Sequence, residues 1–226
     1  MYIELKNVTK KIRGVTVLDN VSLRMESGNI YGFKGKNGSG KTMLMRAVAG
    51  LIRVDGIVDI NGKIMGKDMM FPDSIGILIE NPAFINNYTG YENLKTLASI
   101  RERIDDERIR ETLSEVGLEP YDKRTFRKYS LGMKQRLGIA AAIMHSPELL
   151  ILDEPTRGID VGATVEIYHI MNQLVAQGVG VIMISSELPE VLGMSDRILV
   201  MREGEMVKEL ERKEATQEKV MYYATG

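Results

Sequence analysis

Apolar and polar residues alternate over Tyr2–Val8 and again over Val15–Met25, with Gly14 between the two runs. That period of two predicts a pair of antiparallel strands at the start of the chain. Asn29–Lys34 (NIYGFK) predicts a short strand running straight into a glycine-rich turn, and Met43–Ala49 then takes on helical character. Ile75–Ile79, Leu149–Leu152 and Val179–Ser185 are compact apolar runs, the pattern of parallel strands covered on both faces. Between the last two, Val161–Gln177 predicts a helix with Val161, Val165, Tyr168, Met171 and Val175 on one face. Strand–helix–strand order of this kind implies a right-handed crossover in a parallel sheet.

Residues 83–146 follow a different period. Leu94, Leu97, Ala98, Arg101 and Ile104 have helical spacing, as do Ile109, Leu113 and Val116, and Gly117 is placed to end that second helix. No strand pattern interrupts the stretch. The prediction is an α/β core, residues 1–82 and 147–226, carrying an all-helical insert over 83–146, all within one domain spanning 1–226.

Composition narrows the chemistry. The chain has 226 residues, 44% of them hydrophobic, with Lys+Arg 30 against Asp+Glu 31 and a net charge of −1. That mass supports one sizeable core, and the balanced charge gives no basis for a nucleic-acid partner. There is no cysteine, so disulfides, thiolate metal sites and cysteine nucleophiles are excluded. His145 and His169 lie far apart, which leaves little for zinc. The 15 Met are scattered and suit core gap-filling. MYIELKNVTKK lacks the apolar core of a signal peptide. Apolar stretches such as Leu137–Met144 are far shorter than the roughly 18 residues of a membrane span, so the chain is expected not to cross a membrane by itself.

Two motifs carry candidate chemistry. Gly35–Thr42 reads GKNGSGKT, a G-x-x-x-x-G-K-[ST] phosphate loop with a predicted strand before it and a helix after it. Glycines there let backbone N–H groups turn toward phosphate oxygens, Lys41 supplies a positive charge, and Thr42 offers a hydroxyl to Mg²⁺. The dipole of the following helix adds to the site. Gly35, Asn37, Gly38, Ser39, Gly40, Lys41, Thr42 and Met43 are therefore the expected nucleotide contacts. Leu149–Glu154 reads LLILDE, an apolar strand ending in two acids at the sheet edge where ligands bind. Asp153 would hold Mg²⁺, which prefers oxygen, and Glu154 would orient and deprotonate the attacking water.

Tyr129–Arg136, YSLGMKQR, precedes an apolar helix and then the LLILDE strand. This resembles the signature motif of ABC-type ATPases, and the order of phosphate loop, signature, acidic strand and DEPTRGID is similar to that family throughout. The resemblance implies a P-loop NTPase core of mixed, mainly parallel sheet, with an N-terminal antiparallel β subdomain and an inserted α-helical subdomain. It implies ATP and Mg²⁺ as ligands and two subunits paired head to tail. Ser130 and Gly132 of one would meet the γ-phosphate bound by the other, and Asp160 would line the seam. It also implies a separate transmembrane permease touched by the helical insert, and a position in the cytoplasm against the inner face of the membrane. IGILIENPAF and NNYTGYENL resemble bacitracin- and lantibiotic-type exporter ATPases. DEPTRGIDVGA, ISSELPEVLGMSDRI and EATQEKVM resemble the second ATPase half of monosaccharide importers. Because the exporter-like part includes the permease-facing insert, export is the expectation.

Three positions depart from the family pattern. Glu80 stands where a Gln usually senses Mg²⁺; a carboxylate still serves a hard cation. Glu187 stands where a His usually donates to the γ-phosphate, and a carboxylate accepts unless protonated. Like charges about 4 Å apart cost roughly 4 kcal/mol at an effective dielectric of 20, so Glu187 must swing away, be protonated or slow turnover. Ile12 stands where an aromatic usually stacks on adenine, which gives up roughly 0.5–1.5 kcal/mol of ring–ring geometry.

Overall fold

The computed structural model describes residues 2–72, 74–79, 83–100 and 104–226. The two alternating runs form β1 (Tyr2–Ile12) and β2 (Val15–Glu26), joined at a tight turn where Gly14 takes φ +84°, in the region glycine favours. They pair antiparallel, and β4 (Asp55–Ile60) and β5 (Lys63–Ile64) complete a four-stranded sheet in the order β2-β1-β4-β5. The second sheet contains β3 (Ile30–Lys34), β6 (Ile75–Leu78), β7 (Leu149–Asp153), β8 (Gly180–Ile184), β9 (Arg197–Arg202) and β10 (Glu205–Glu211). Its order is β10-β9-β3-β8-β7-β6, parallel except for the β10–β9 edge.

The apolar runs are continuous because both faces of this sheet are covered. Ile30, Leu150, Leu152, Val181 and Met183 point into one cluster, with the helices. Their sequence neighbours Tyr31, Phe33, Leu149, Ile151, Ile182 and Ile184 point into the other, shared with the antiparallel sheet and α1 (Lys41–Val48). Each such side chain contributes about 1.5–3 kcal/mol by leaving water.

Between β6 and β7 the chain forms α2 (Gly90–Ala98), α3 (Asp106–Glu115) and α4 (Leu131–Ile143). Thr89 and Glu92 make a reciprocal capping box at the start of α2, and Asp105 caps α3. Gly117, at φ +68°, follows α3 with the Gly117 N–H on the Ser114 carbonyl and the Leu118 N–H on the Leu113 carbonyl, a Schellman ending. The helical spacing through Arg101 and Ile104 does not extend α2, which stops at Ala98; Arg101 lies outside the described residues. α4 lies against β6 so closely that a Cβ on Gly76 would sit 2.2 Å from the Ala142 carbonyl oxygen. Gly76→Ala is therefore expected to destabilise the chain by about 1–3 kcal/mol in a urea titration, since backbone must move to admit the methyl group.

α5 (Val161–Ala176) joins β7 to β8, but it buries only part of the face predicted for it. Ile167, Ile170, Met171 and Leu174 are buried, while Val161 and Val165 are 82% and 59% exposed. The helix carries apolar residues on two stripes, so periodicity alone does not select the packed one. α6 (Leu188–Met194) and α7 (Gln217–Thr225) complete the helical layer.

Candidate active site

The parallel strands bring the chemistry to one edge. β3, β8 and β7 are adjacent, with Phe33 opposite Ile184 and Ile184 opposite Asp153. Their carboxyl ends therefore deliver the glycine-rich loop, the Ser185–Glu187 turn and the acids Asp153 and Glu154 to a single crevice. An open cleft of about 850 Å³ runs along it. Asn37, Gly38, Ser39, Gly40, Lys41, Thr42 and Met43 line one wall, with Asp153 and Glu154 beyond.

The loop is built for close backbone approach. Gly38 and Gly40 take φ +82° and +100°, and a Cβ on Gly35 would lie 2.1 Å from the Met201 carbonyl oxygen. The Lys41 ammonium reaches back over the loop and donates to the Gly35 carbonyl at 2.8 Å, the Lys36 carbonyl at 3.0 Å and Ser39 Oγ at 3.3 Å. Burial holds its pKa below the usual lysine value; the like charge of Lys34 adds to this, and Asp153 and Glu154 oppose it.

Thr42 Oγ1 donates to Asp153 Oδ2 at 2.9 Å, joining the two motifs across 111 residues of sequence. Glu154 has φ +52°, an uncommon conformation for a residue with a side chain and one that clusters at functional sites. Its Oε2 accepts from the Ser186 N–H at 3.0 Å and from Ser186 Oγ at 2.9 Å, so the carboxylate is held rather than free to rotate.

Other expected site residues take different places. Ser130 is exposed and caps α4, its Oγ accepting from the Met133 N–H at 3.2 Å. Gly132 is buried, and a Cβ there would lie 2.5 Å from Ala163 Cβ, so the glycine meets a packing need within this chain. Asp160 is exposed and caps α5 by accepting from the Ala163 N–H at 3.0 Å. Ile12 is 39% exposed at the end of the first hairpin and does not line the cleft; Val17 does. Glu187 is exposed at the start of α6. Glu80 lies outside the described residues.

The motif reading omits several residues that reach the site. Leu131, Gln135, Arg157, Gly158 and Ile184 also line the cleft. Gln135 and Arg157 were visible as polar residues within YSLGMKQR and DEPTRGID; Val17 and Ile184 carry no signal beyond strand periodicity. The last is Lys34, a lysine ending an otherwise apolar strand. It is 9% exposed and its ammonium donates to the Ser186 carbonyl. Burial lowers its pKa, against the raising influence of Glu154 and Glu187.

Residues 18–157 match the family described as ABC transporter. The chain belongs to that family. It is an ATP-binding subunit of an ABC transporter and an ATPase. The ABC transporter ATP-binding protein YybJ of Bacillus subtilis (strain 168), described as uncharacterized, is 42% identical over 221 residues, covering 97% of this chain and 98% of the relative. Bacitracin transport ATP-binding protein BcrA of Enterococcus faecalis is 42% identical over 211 residues, 92% of this chain and 68% of the relative. Ribose import ATP-binding protein RbsA of Oceanobacillus iheyensis is 39% identical over 229 residues, 92% of this chain and 45% of the relative. Among solved structures, the dimeric bacterial ABC transporter cassette MJ0796 superposes with a TM-score of 0.80 at 25% identity, covering 93% of this chain and 98% of that one. The ABC fold agrees with the α/β architecture expected from the sequence.

Proposed function

We propose that two copies of this chain close head to tail on ATP, and that closure drives export of a peptide, antibiotic or similar compound through a separate permease. The observation that carries this reading is the junction of Lys41, Thr42, Asp153 and Glu154 at one sheet edge, with Thr42 Oγ1 2.9 Å from Asp153 Oδ2. A hydroxyl and a carboxylate so placed suit a hard cation. No group of three His, Cys, Asp or Glu side chains among the described residues forms a complete metal cage, so phosphate oxygens and water would fill the remaining positions. Mg²⁺, held by Thr42 and Asp153 with Glu80 as a further oxygen donor, would neutralise phosphate charge. Glu154, fixed by Ser186, would accept the proton of the attacking water.

Pairing is supported by apolar residues left exposed at the cleft and along α5. Leu131, Val161 and Val165 are all exposed, and Leu131 packs 3.5 Å from where a Cβ on Gly158 would sit. In the paired state the N-terminus of α4, with exposed Ser130, would offer its dipole and hydroxyl to the partner's γ-phosphate. Asp160 would lie on the seam beside Val161. Gly132 would serve that helix end through its packing on Ala163.

Phe71, Ile85 and Tyr88 are apolar and exposed, and they would meet the permease. No helix among the described residues is long and apolar enough to cross a membrane, which fits a subunit held on the inner face of the membrane by that partner.

Export is favoured by the likeness to BcrA, import by the likeness to RbsA. Glu187, exposed at the start of α6 where the family usually carries a His, favours slow turnover in the isolated chain. Phosphate release should therefore be low for the chain alone and rise at least about tenfold with its membrane subunit, by analogy with catalytic sites completed on closure. Stimulation without any sugar-binding protein supports export, and a strict requirement for one would reverse the direction. No release under either condition contradicts the proposal.

A further inference from the structure

β3 is IYGFK, and every residue of it is buried, including Lys34. An ammonium there loses hydration that the sheet does not need it to lose, since an apolar side chain would fill the same space. The strand's alternation puts Lys34 on the face of Ile30 and Gly32, where a Cβ on Gly32 would meet Val191 and Ser195 of the α6 region. The side chain thus runs toward the turn between β8 and α6, and its Nζ donates to the Ser186 carbonyl. Ser186 in turn gives both its N–H and its Oγ to Glu154 Oε2. One serine therefore links a buried cation to the acid beside the phosphate loop. Glu154 and Glu187 act on Lys34, and Lys34, Asp153 and Glu154 act on Lys41 beside it in the site.

We propose that Lys34 is a positioning residue of the ATPase site: its ammonium fixes the Ser186 turn that holds Glu154, and its charge offsets Glu187 at the start of α6. The motif G-x-x-x-x-G-K-[ST] begins one residue later and assigns this position no role. The physical need is local. Glu187, exposed at the start of α6, acts on Lys34, and a cation on the adjacent strand offsets that acid beside the turn that holds Glu154. Because Ser186 also carries the Glu154 contact, displacement of the turn would move the carboxylate, and a misplacement of about 1 Å can cost about a hundredfold in rate.

The inference rests on the reading of Glu154 as the group that activates water, so the test includes it. Steady-state phosphate release with ATP and Mg²⁺ is measured for Lys34→Met, Lys34→Arg, Lys34→Met/Glu187→Gln and Glu154→Gln, each normalised to folded protein by circular dichroism. Lys34→Met removes a buried charge without leaving a void, so its melting temperature should not fall. Its kcat should fall by about ten- to a hundredfold while its KM for ATP stays within about twofold. Lys34→Arg, which keeps the charge, should recover part of the loss, and removing the acid in the double variant should recover turnover relative to Lys34→Met. If Lys34→Met does not fold, Lys34→Gln against Lys34→Arg makes the same comparison of charge. Wild-type kcat in the neutral variant, equal losses in the neutral and Arg variants, or a loss confined to KM would overturn the proposal. Wild-type turnover in Glu154→Gln overturns the reading of Glu154 itself; loss there beside wild-type turnover in Lys34→Met overturns only the role of Lys34.

Discussion

Replacing Glu154 with Gln is expected to reduce ATP turnover by at least about a hundredfold while leaving nucleotide bound, within the usual range for removal of a general base. The substitution removes the ionised carboxylate and keeps its shape. A Gln side chain has the same shape, and its amide oxygen can still accept from the Ser186 N–H and Oγ that hold Glu154 now. The backbone at φ +52° is unchanged in its demands, because both side chains carry the same Cβ. What is lost is the negative charge and, with it, the capacity to take a proton from water. A hundredfold change corresponds to about 2.7 kcal/mol of transition-state stabilisation. Phosphate release and nucleotide titration on the same sample check both halves of the expectation, and unchanged release would remove Glu154 from the chemistry.

Lys41→Ala is expected to weaken ATP binding by about ten- to a hundredfold and to abolish turnover, from the roughly 1.5–3 kcal/mol carried by hydrogen bonds to charged groups. Lys41 has a second task besides its charge. Its ammonium bridges the Gly35 and Lys36 carbonyls and Ser39 Oγ, closing the loop on itself. Removing it loosens the cradle and takes away a cation aimed at the phosphates. Its pKa is already lowered by burial, and Lys34 adds like-charge repulsion. The truncation therefore relieves an electrostatic cost, and folding stability should suffer less than ATP affinity. Calorimetric titration with ATP and Mg²⁺, compared with thermal melting of the free protein, separates the two effects. Retained affinity would show that the loop amides alone hold the nucleotide.

Sequence period and motif spacing made much of this fold legible. The opening hairpin, β3 running into the phosphate loop, and the compact buried strands β6, β7 and β8 all declare themselves in apolar pattern. Chemistry reinforced the pattern where Gly35–Thr42 follows a strand and opens α1, and the structure joins Thr42 to Asp153 as two oxygen donors. Patterning is weaker where apolar residues surround an element. α5 has candidate faces on both sides, and only the position of the sheet decides that Ile167, Ile170, Met171 and Leu174 are covered while Val161 and Val165 are not. β9 was within reach of the same reasoning, since Ile198–Met201 is a run of four buried apolar residues.

Some expected site residues also carry local roles within the single chain. Ser130 and Asp160 are helix caps in the single chain, a role their residue types would fill in any protein. Gly132 is small because Ala163 leaves no room. Ile12 ends a hairpin edge, and Val17 has the cleft position. Lys34 was the least legible, because nothing in a motif distinguishes a strand-end lysine facing solvent from one facing an active site. Only the fold, by setting β3 beside β8, directs its ammonium to Ser186.

The measurement that bears most directly on ATP-driven pairing is the mass in solution of Glu154→Gln, by sedimentation or light scattering, with and without ATP and Mg²⁺. Slow hydrolysis should hold the closed state, so the variant should sediment as a monomer alone and as a dimer with nucleotide, and lose the dimer when Mg²⁺ is chelated. A monomer at saturating ATP and Mg²⁺, with nucleotide demonstrably bound, would contradict the account.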